Sequence, residues 1–168
     1  MGSGATKAAG NPWYEARMAA ATYNPKLCSR EGAAEMLGMS VSSVADAELG
    51  LQKVMPVDKA VLMADLYRDP ALLNYYCLNE CPIGWRRPIS DNRVEIERAT
   101  VKLSKALRKD AVQWFKYTLQ DIAADGVVSS DELAEFVQIV DELREVSKII
   151  SELEIIRDKV KADFRKEG

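Results

Sequence analysis

Histidine is missing from all 168 residues. Its absence excludes Ser-His-Asp and Cys-His catalysis and every His-containing metal site. It also removes the side chain that most often serves as general base near neutral pH. No other catalytic constellation stands in its place, so the chain is not expected to be an enzyme. No catalytic residue, metal or cofactor is assigned. Basic excess is missing too: 23 Lys and Arg against 26 Asp and Glu give a net charge of -3. No global field therefore draws the chain to nucleic acid or an anionic membrane. Apolar runs such as "MAAATY" fall far short of the roughly 20 residues that span a bilayer, so no membrane partner is expected. The opening "MGSGATKAAG" has small residues without an apolar core, and reads as a flexible lead over residues 1–10 rather than a signal peptide. With only three cysteines and no targeting segment, a reduced cytoplasmic setting is expected.

Strand signals are equally scarce, and what is present is helical. Asn11 can cap a helix that opens with Pro12 and stops at Asn24-Pro25. Ser29 caps "REGAAEML" and Gly38 ends it; Ser40 caps "VSSVADAEL" and Gly50 ends it. Pro56 opens "VDKAVLMADLYR", Asp69-Pro70 breaks the chain before "ALLNYYCLNE", and "CPIGWRRPISD" is a Pro/Gly-rich connector. The fold class expected is all-α: a five-helix domain over residues 11–84, a linker over 85–92, and a helical region over 93–168.

In that last region apolar residues recur three and four apart. The first run is Ile96, Leu103, Leu107, Trp114 and Ile122, with Ala99 and Ala111 beside it. The second is Phe136, Val140, Leu143, Ile150, Leu153, Val160 and Phe164. Between them "ADGVVSSDE" supplies a turn glycine and a capping-box pair, Ser129 and Glu132. The pattern predicts a long antiparallel αα-hairpin, coiled-coil-like, each arm roughly 45 Å long. Such a hairpin buries little alone, so it is expected to pair with a second copy, with the first domain, or with a protein partner.

The stretch "CSREGAAEMLGMSVSSVADAELG" resembles the helix-turn-helix of the Xre/Cro/λ-repressor type of regulator. Ser29, Ala33, Ala34, Gly38, Ser40, Glu48 and Gly50 fill its typical positions, and Leu37, Val44 and Leu49 supply its packing. The following "MADLY" and "YCLNECPIG" resemble the continuation in small bacterial regulators, so the likeness covers residues 12–84. It implies a dimeric transcriptional regulator that binds double-stranded DNA. The second helix would lie in the major groove. The DNA-binding residues implied are Ser40, Val41, Ser42, Ser43 and Asp46; Arg30 and Lys53, with Lys59, are the cations expected to cluster on the backbone-facing side. Val41 suits a thymine methyl and Asp46 a cytosine amino group. None of these base-facing residues makes the Arg–guanine contact that dominates specific readout, and residues 11–90 hold eight basic against nine acidic residues. The competing expectation is a protein-interaction or scaffold module whose helix-turn-helix no longer reads DNA.

Two further patterns have both a functional and an ordinary reading. Cys77 and Cys81, with Cys28, suit a thiolate metal site or a redox pair, or are plain thiols packed near the core. Asp121, Asp125, Gly126, Ser129 and Glu132 follow EF-hand spacing, but Ala123 replaces a usual ligand, and a helix-joining turn explains the same residues.

Overall fold

The computed structural model describes residues 7–164. Among these, eight α-helices and no strand are present, so the protein is all-α. The first six residues of the expected flexible lead, and the last four of the helical region, lie outside the described part. The described end of the lead is a turn: Ala8 is buried, and its carbonyl accepts the Asn11 N–H at 3.0 Å. The chain forms two compact units, residues 1–87 with 157–168, and residues 88–156.

The first unit holds α1 (Pro12–Ala20), α2 (Arg30–Leu37), α3 (Val41–Leu49), α4 (Val57–Tyr67) and α5 (Ala71–Asn79), with 3-10 turns at Pro25–Cys28 and Gly84–Arg86. Local chemistry sets the starts. Asn11 Oδ1 accepts the Trp13 N–H at 2.9 Å, and Pro12 fixes the first helical φ. Trp13, Ala16 and Ala20 form the buried face of α1, and the small alanines let neighbouring helices approach closely. Around Trp13 gather Leu27, Leu37, Val44, Met55, Met63 and Leu72, one continuous core. α4 ends at Arg68 in the left-handed region (φ 54°). The Arg68 guanidinium lies 4.6 Å over the Tyr23 ring, and Tyr23 donates to the Tyr67 carbonyl at 2.7 Å. Those contacts offset the strain of a non-glycine residue there.

The second unit holds α6 (Ile96–Ala106), α7 (Lys109–Ile122) and most of α8 (Leu133–Phe164). The expected first hairpin arm is therefore not one helix. It breaks at Leu107 and Arg108, where Arg108 turns extended (ψ 147°) and heads α7. Asp110 follows in the first turn, where the helix dipole favours an acid, and pairs with Arg108 at 2.9 Å. Ala111 and Phe115 of α7 then pack on Ile139 of α8. The burial phase on α8 also differs from the expected stripe. Ile139, Val146, Ile149 and Ile155 are buried, while Val140, Leu143, Ile150, Val160 and Phe164 are exposed. Ile139-Val140 and Ile149-Ile150 are apolar doublets, so spacing alone does not choose which member faces inward.

The second unit also holds a buried polar cluster. Glu152, only 3% exposed, accepts from Lys102 Nζ at 2.7 Å and from Ser90 Oγ at 2.9 Å, and the Ser90 N–H donates to Ser151 Oγ at 2.9 Å. Burial pushes the Glu152 carboxyl up, but the Lys102, Ser90 and Asn92 hydrogen bonds outweigh it and hold it below its usual range.

Candidate nucleic-acid interface

α2 and α3 are joined through Gly38–Ser40, and the joint is built from caps. Ser29 Oγ accepts the Gly32 N–H at 3.1 Å. Gly38 turns left-handed (φ 60°), a conformation that a side chain would strain, and the Met39 N–H closes the helix on the Ala34 carbonyl. Ser40 Oγ accepts the Ser43 N–H at 3.0 Å and starts α3; Gly50 (φ 64°) ends it. Gly32 has a separate role. A Cβ there would lie 2.0 Å from the Lys26 carbonyl oxygen, so α2 can press on the preceding 3-10 turn only without a side chain.

On α3, Val44, Ala47 and Glu48 are buried, while Ser40, Val41 and Ser42 are exposed and Ser43 and Asp46 half-buried. The three serines are knit together: Ser40 Oγ lies 2.9 Å from Ser42 Oγ and 2.7 Å from Ser43 Oγ. Lys53 is exposed in the segment after α3. Arg30 sits differently from the other six proposed site residues, because its Nε donates to Glu48 Oε2 at 2.8 Å.

Glu48 is the functional-region residue whose environment the sequence reading did not foresee. It is 0% exposed, and Arg17, itself buried, donates Nε to Oε1 at 2.5 Å and Nη2 to Oε2 at 3.2 Å. Arg17 Nη1 also reaches the Leu27 carbonyl at 2.6 Å. A clue was available: Arg17 interrupts the apolar face of "WYEARMAAA", and Glu48 interrupts that of α3. Two opposite charges on two buried faces must find each other. The consequence for the surface is direct. The Glu48 charge is withdrawn from the exposed side of α3 and neutralised, leaving Asp46 as the acid on that helix that reaches solvent.

The remaining candidate residues sit apart from any ligand geometry. Cys28 is exposed and Cys77 and Cys81 half-buried, all free thiols. Burial and the nearby Cys81 push the Cys77 thiol up, away from the thiolate that metals and disulfides need. In the acidic turn, Asp125 Oδ1 accepts the Val127 N–H at 3.0 Å and Glu132 Oε2 accepts the Ser129 N–H at 2.9 Å. These carboxylates satisfy backbone donors at a helix start. Among the described residues no group of three or more Cys, Asp or Glu is placed to hold a metal ion. No protein-family model, curated protein or solved structure matches the chain.

Proposed function

We propose that the chain is a non-enzymatic, sequence-specific DNA-binding transcriptional regulator of the Xre type, acting as a dimer. α2 and α3 are its helix-turn-helix. The observation that carries the reading is the division of α3 into two faces. Its one buried acid is locked to Arg17 and Arg30, and its N-terminal turn offers Val41 and Ser42 to solvent. In the major groove Val41 meets a thymine methyl, while Ser42 and Ser43 donate to or accept from base edges or phosphates. Lys53 and the solvent-facing edge of Arg30 serve the phosphate backbone. A dimer places two such helices about 34 Å apart on one DNA face, which offsets the weak charge of a single domain. The exposed row Leu133, Val137 and Val140 on α8 supplies an apolar strip for the second copy.

A second reading, a protein-interaction module, is favoured by one observation. Leu51, Val54 and Val57, around the segment that follows α3, are exposed apolar residues where phosphate-contacting cations would serve DNA better.

Enrichment of a random duplex pool on the purified chain, at about 50 and about 200 mM salt, decides between them. Enrichment of a palindromic motif, lost in Ser42→Glu, is the expected outcome. A folded chain that enriches nothing at either salt removes the regulator reading and leaves the interaction module.

A further inference from the structure

Eight cations lie in residues 11–90, and most are already committed. Arg17 is buried on Glu48, Arg30 is bonded to Glu48, and Arg68 lies over the Tyr23 ring. Lys26 pairs with Glu35 at 3.6 Å, and Lys59 lies 4.0 Å from Asp58. The uncommitted ones are Lys53, Arg86 and Arg87, all exposed and without an ion-pair or ring partner among the described residues.

The segments that carry these three are tied by one hydrogen bond. Glu80, at the end of α5, accepts the Met55 N–H on Oε2 at 2.8 Å, so the end of α5 is fixed to the segment that leaves α3. The chain then folds at once into the 3-10 turn Gly84–Arg86. Gly84 is buried, and a Cβ there would lie 1.9 Å from the Cys77 carbonyl oxygen, so the turn sits backbone against backbone on α5. The Trp85 N–H donates to the Cys81 carbonyl, the Arg86 N–H to that of Ile83, and the Arg87 N–H to that of Gly84. Ile83 and Trp85 are nevertheless 70% and 61% exposed. A hydrogen-bonded turn that presents an exposed indole and two guanidiniums holds them on an ordered backbone, which lowers the ordering cost of any contact they make.

We propose that this turn, with Ile83, Trp85, Arg86 and Arg87, is a second DNA contact that grips the sugar-phosphate backbone of the duplex read by α3. The inference rests on the regulator reading. Guanidiniums match phosphate in charge and bidentate geometry, and the indole face and Ile83 cover the apolar sides of the deoxyribose. The contact is indifferent to sequence, and it supplies positive charge that α3 lacks. An anionic lipid surface would meet the same side chains, but the Glu80–Met55 hydrogen bond ties the segment leading into the turn to the one that carries Lys53 and leaves α3.

The test titrates the full chain with a labelled duplex carrying its enriched motif and with one of unrelated sequence, from about 50 to about 200 mM salt. In Arg86→Ala/Arg87→Ala both affinities fall, by about tenfold near 0.1 M salt, and the slope of log affinity against log salt decreases by about two. Arg86→Lys/Arg87→Lys restores most of both, and Trp85→Ala weakens both duplexes severalfold. Unchanged affinity and slope in the alanine pair overturn the inference while leaving the α3 reading intact. So does a loss confined to phosphatidylserine vesicles, with duplex binding unaltered. A chain that enriches no motif, yet binds unrelated duplex through these arginines, removes the sequence-specific reading and, with it, a grip on a duplex read by α3, leaving a sequence-indifferent duplex contact in its place. A chain that binds no duplex removes both.

Discussion

Among the described residues, each of the two units buries one glutamate, and each solves the problem with different neighbours. In the first, Glu48 is enclosed by Arg17 and Arg30 inside a core that holds Trp13, Leu27, Met63 and Leu72. In the second, Glu152 meets one lysine, one serine and one asparagine, and the unit's apolar cluster is small: Ala111, Phe115 and Ile139 with Trp114 and Leu119 beside them. The difference lies in where the countercharge can go. Arg17 is buried with its partner, whereas the Lys102 side chain is 34% exposed. A buried pair is costly to break from one side, because the surviving charge cannot escape; a half-open pair is not.

The largest expected effect follows from that contrast. Glu48→Ala strands Arg17 in the core and should cost about 3–5 kcal/mol. Glu152→Ala frees Lys102 into solvent and loses hydrogen bonds, costing about 1–2 kcal/mol. Urea titration of the full chain, followed by circular dichroism, measures both. Equal losses would mean that the two clusters are buried alike and the contrast is wrong. The pair Arg17→Met/Glu48→Leu sharpens it: with no charge left in the core and the half-exposed Arg30 able to turn to water, most of the loss should return.

Acid distinguishes the units next. The Glu152 carboxyl is held below its ordinary value, so its contribution is present above about pH 4.5, where an unfolded glutamate titrates, and fades as pH falls through the lower folded value. Protonation then weakens its bonds to Lys102, Ser90 and Asn92. Amides of α6 and of residues 146–156 should lose hydrogen-exchange protection as the pH drops below about 4.5, and Glu152→Gln should flatten that dependence. A dependence that survives in Glu152→Gln would place the acid sensitivity on other carboxylates.

The same contrast marks how far the sequence could be read. Asn11, Ser29, Gly38, Ser40 and Gly50 stand at the helix ends expected of them, because a cap depends on its own backbone and a few neighbours. Gly32 and Gly84 were opaque, since each is demanded by a carbonyl from elsewhere, those of Lys26 and Cys77. In the second region local rules misled. The three-and-four spacing continues through Leu107 and Ala111, so nothing in it signals the break at Arg108. Which member of Ile139-Val140 faces inward is settled by Ala111 and Phe115, distant residues that no window on α8 contains. For the interface, residue type and spacing suggested Val41, Ser42 and Ser43, but not that Arg30 is drawn to Glu48 or that Lys53, Arg86 and Arg87 are left uncommitted.

The smallest expected effect asks where the first polar cluster ends. Tyr67 is 3% exposed and its ring lies in the core, yet among the described residues its hydroxyl has no hydrogen-bond partner. Burial and the nearby Glu48 charge push its phenol up, so it stays protonated and neutral. A buried hydroxyl that bonds nothing has surrendered its water without compensation, and removing it should not destabilise. Tyr67→Phe keeps the ring packing and the backbone carbonyl that accepts from Tyr23, so its unfolding free energy should fall within about 0.5 kcal/mol of the parent or rise above it. A loss above about 1.5 kcal/mol would make the hydroxyl a member of the Arg17–Glu48 cluster. The cluster would then extend to α4, and the cost of Glu48→Ala would be shared by one more polar group than Arg17, Arg30 and the Leu27 carbonyl.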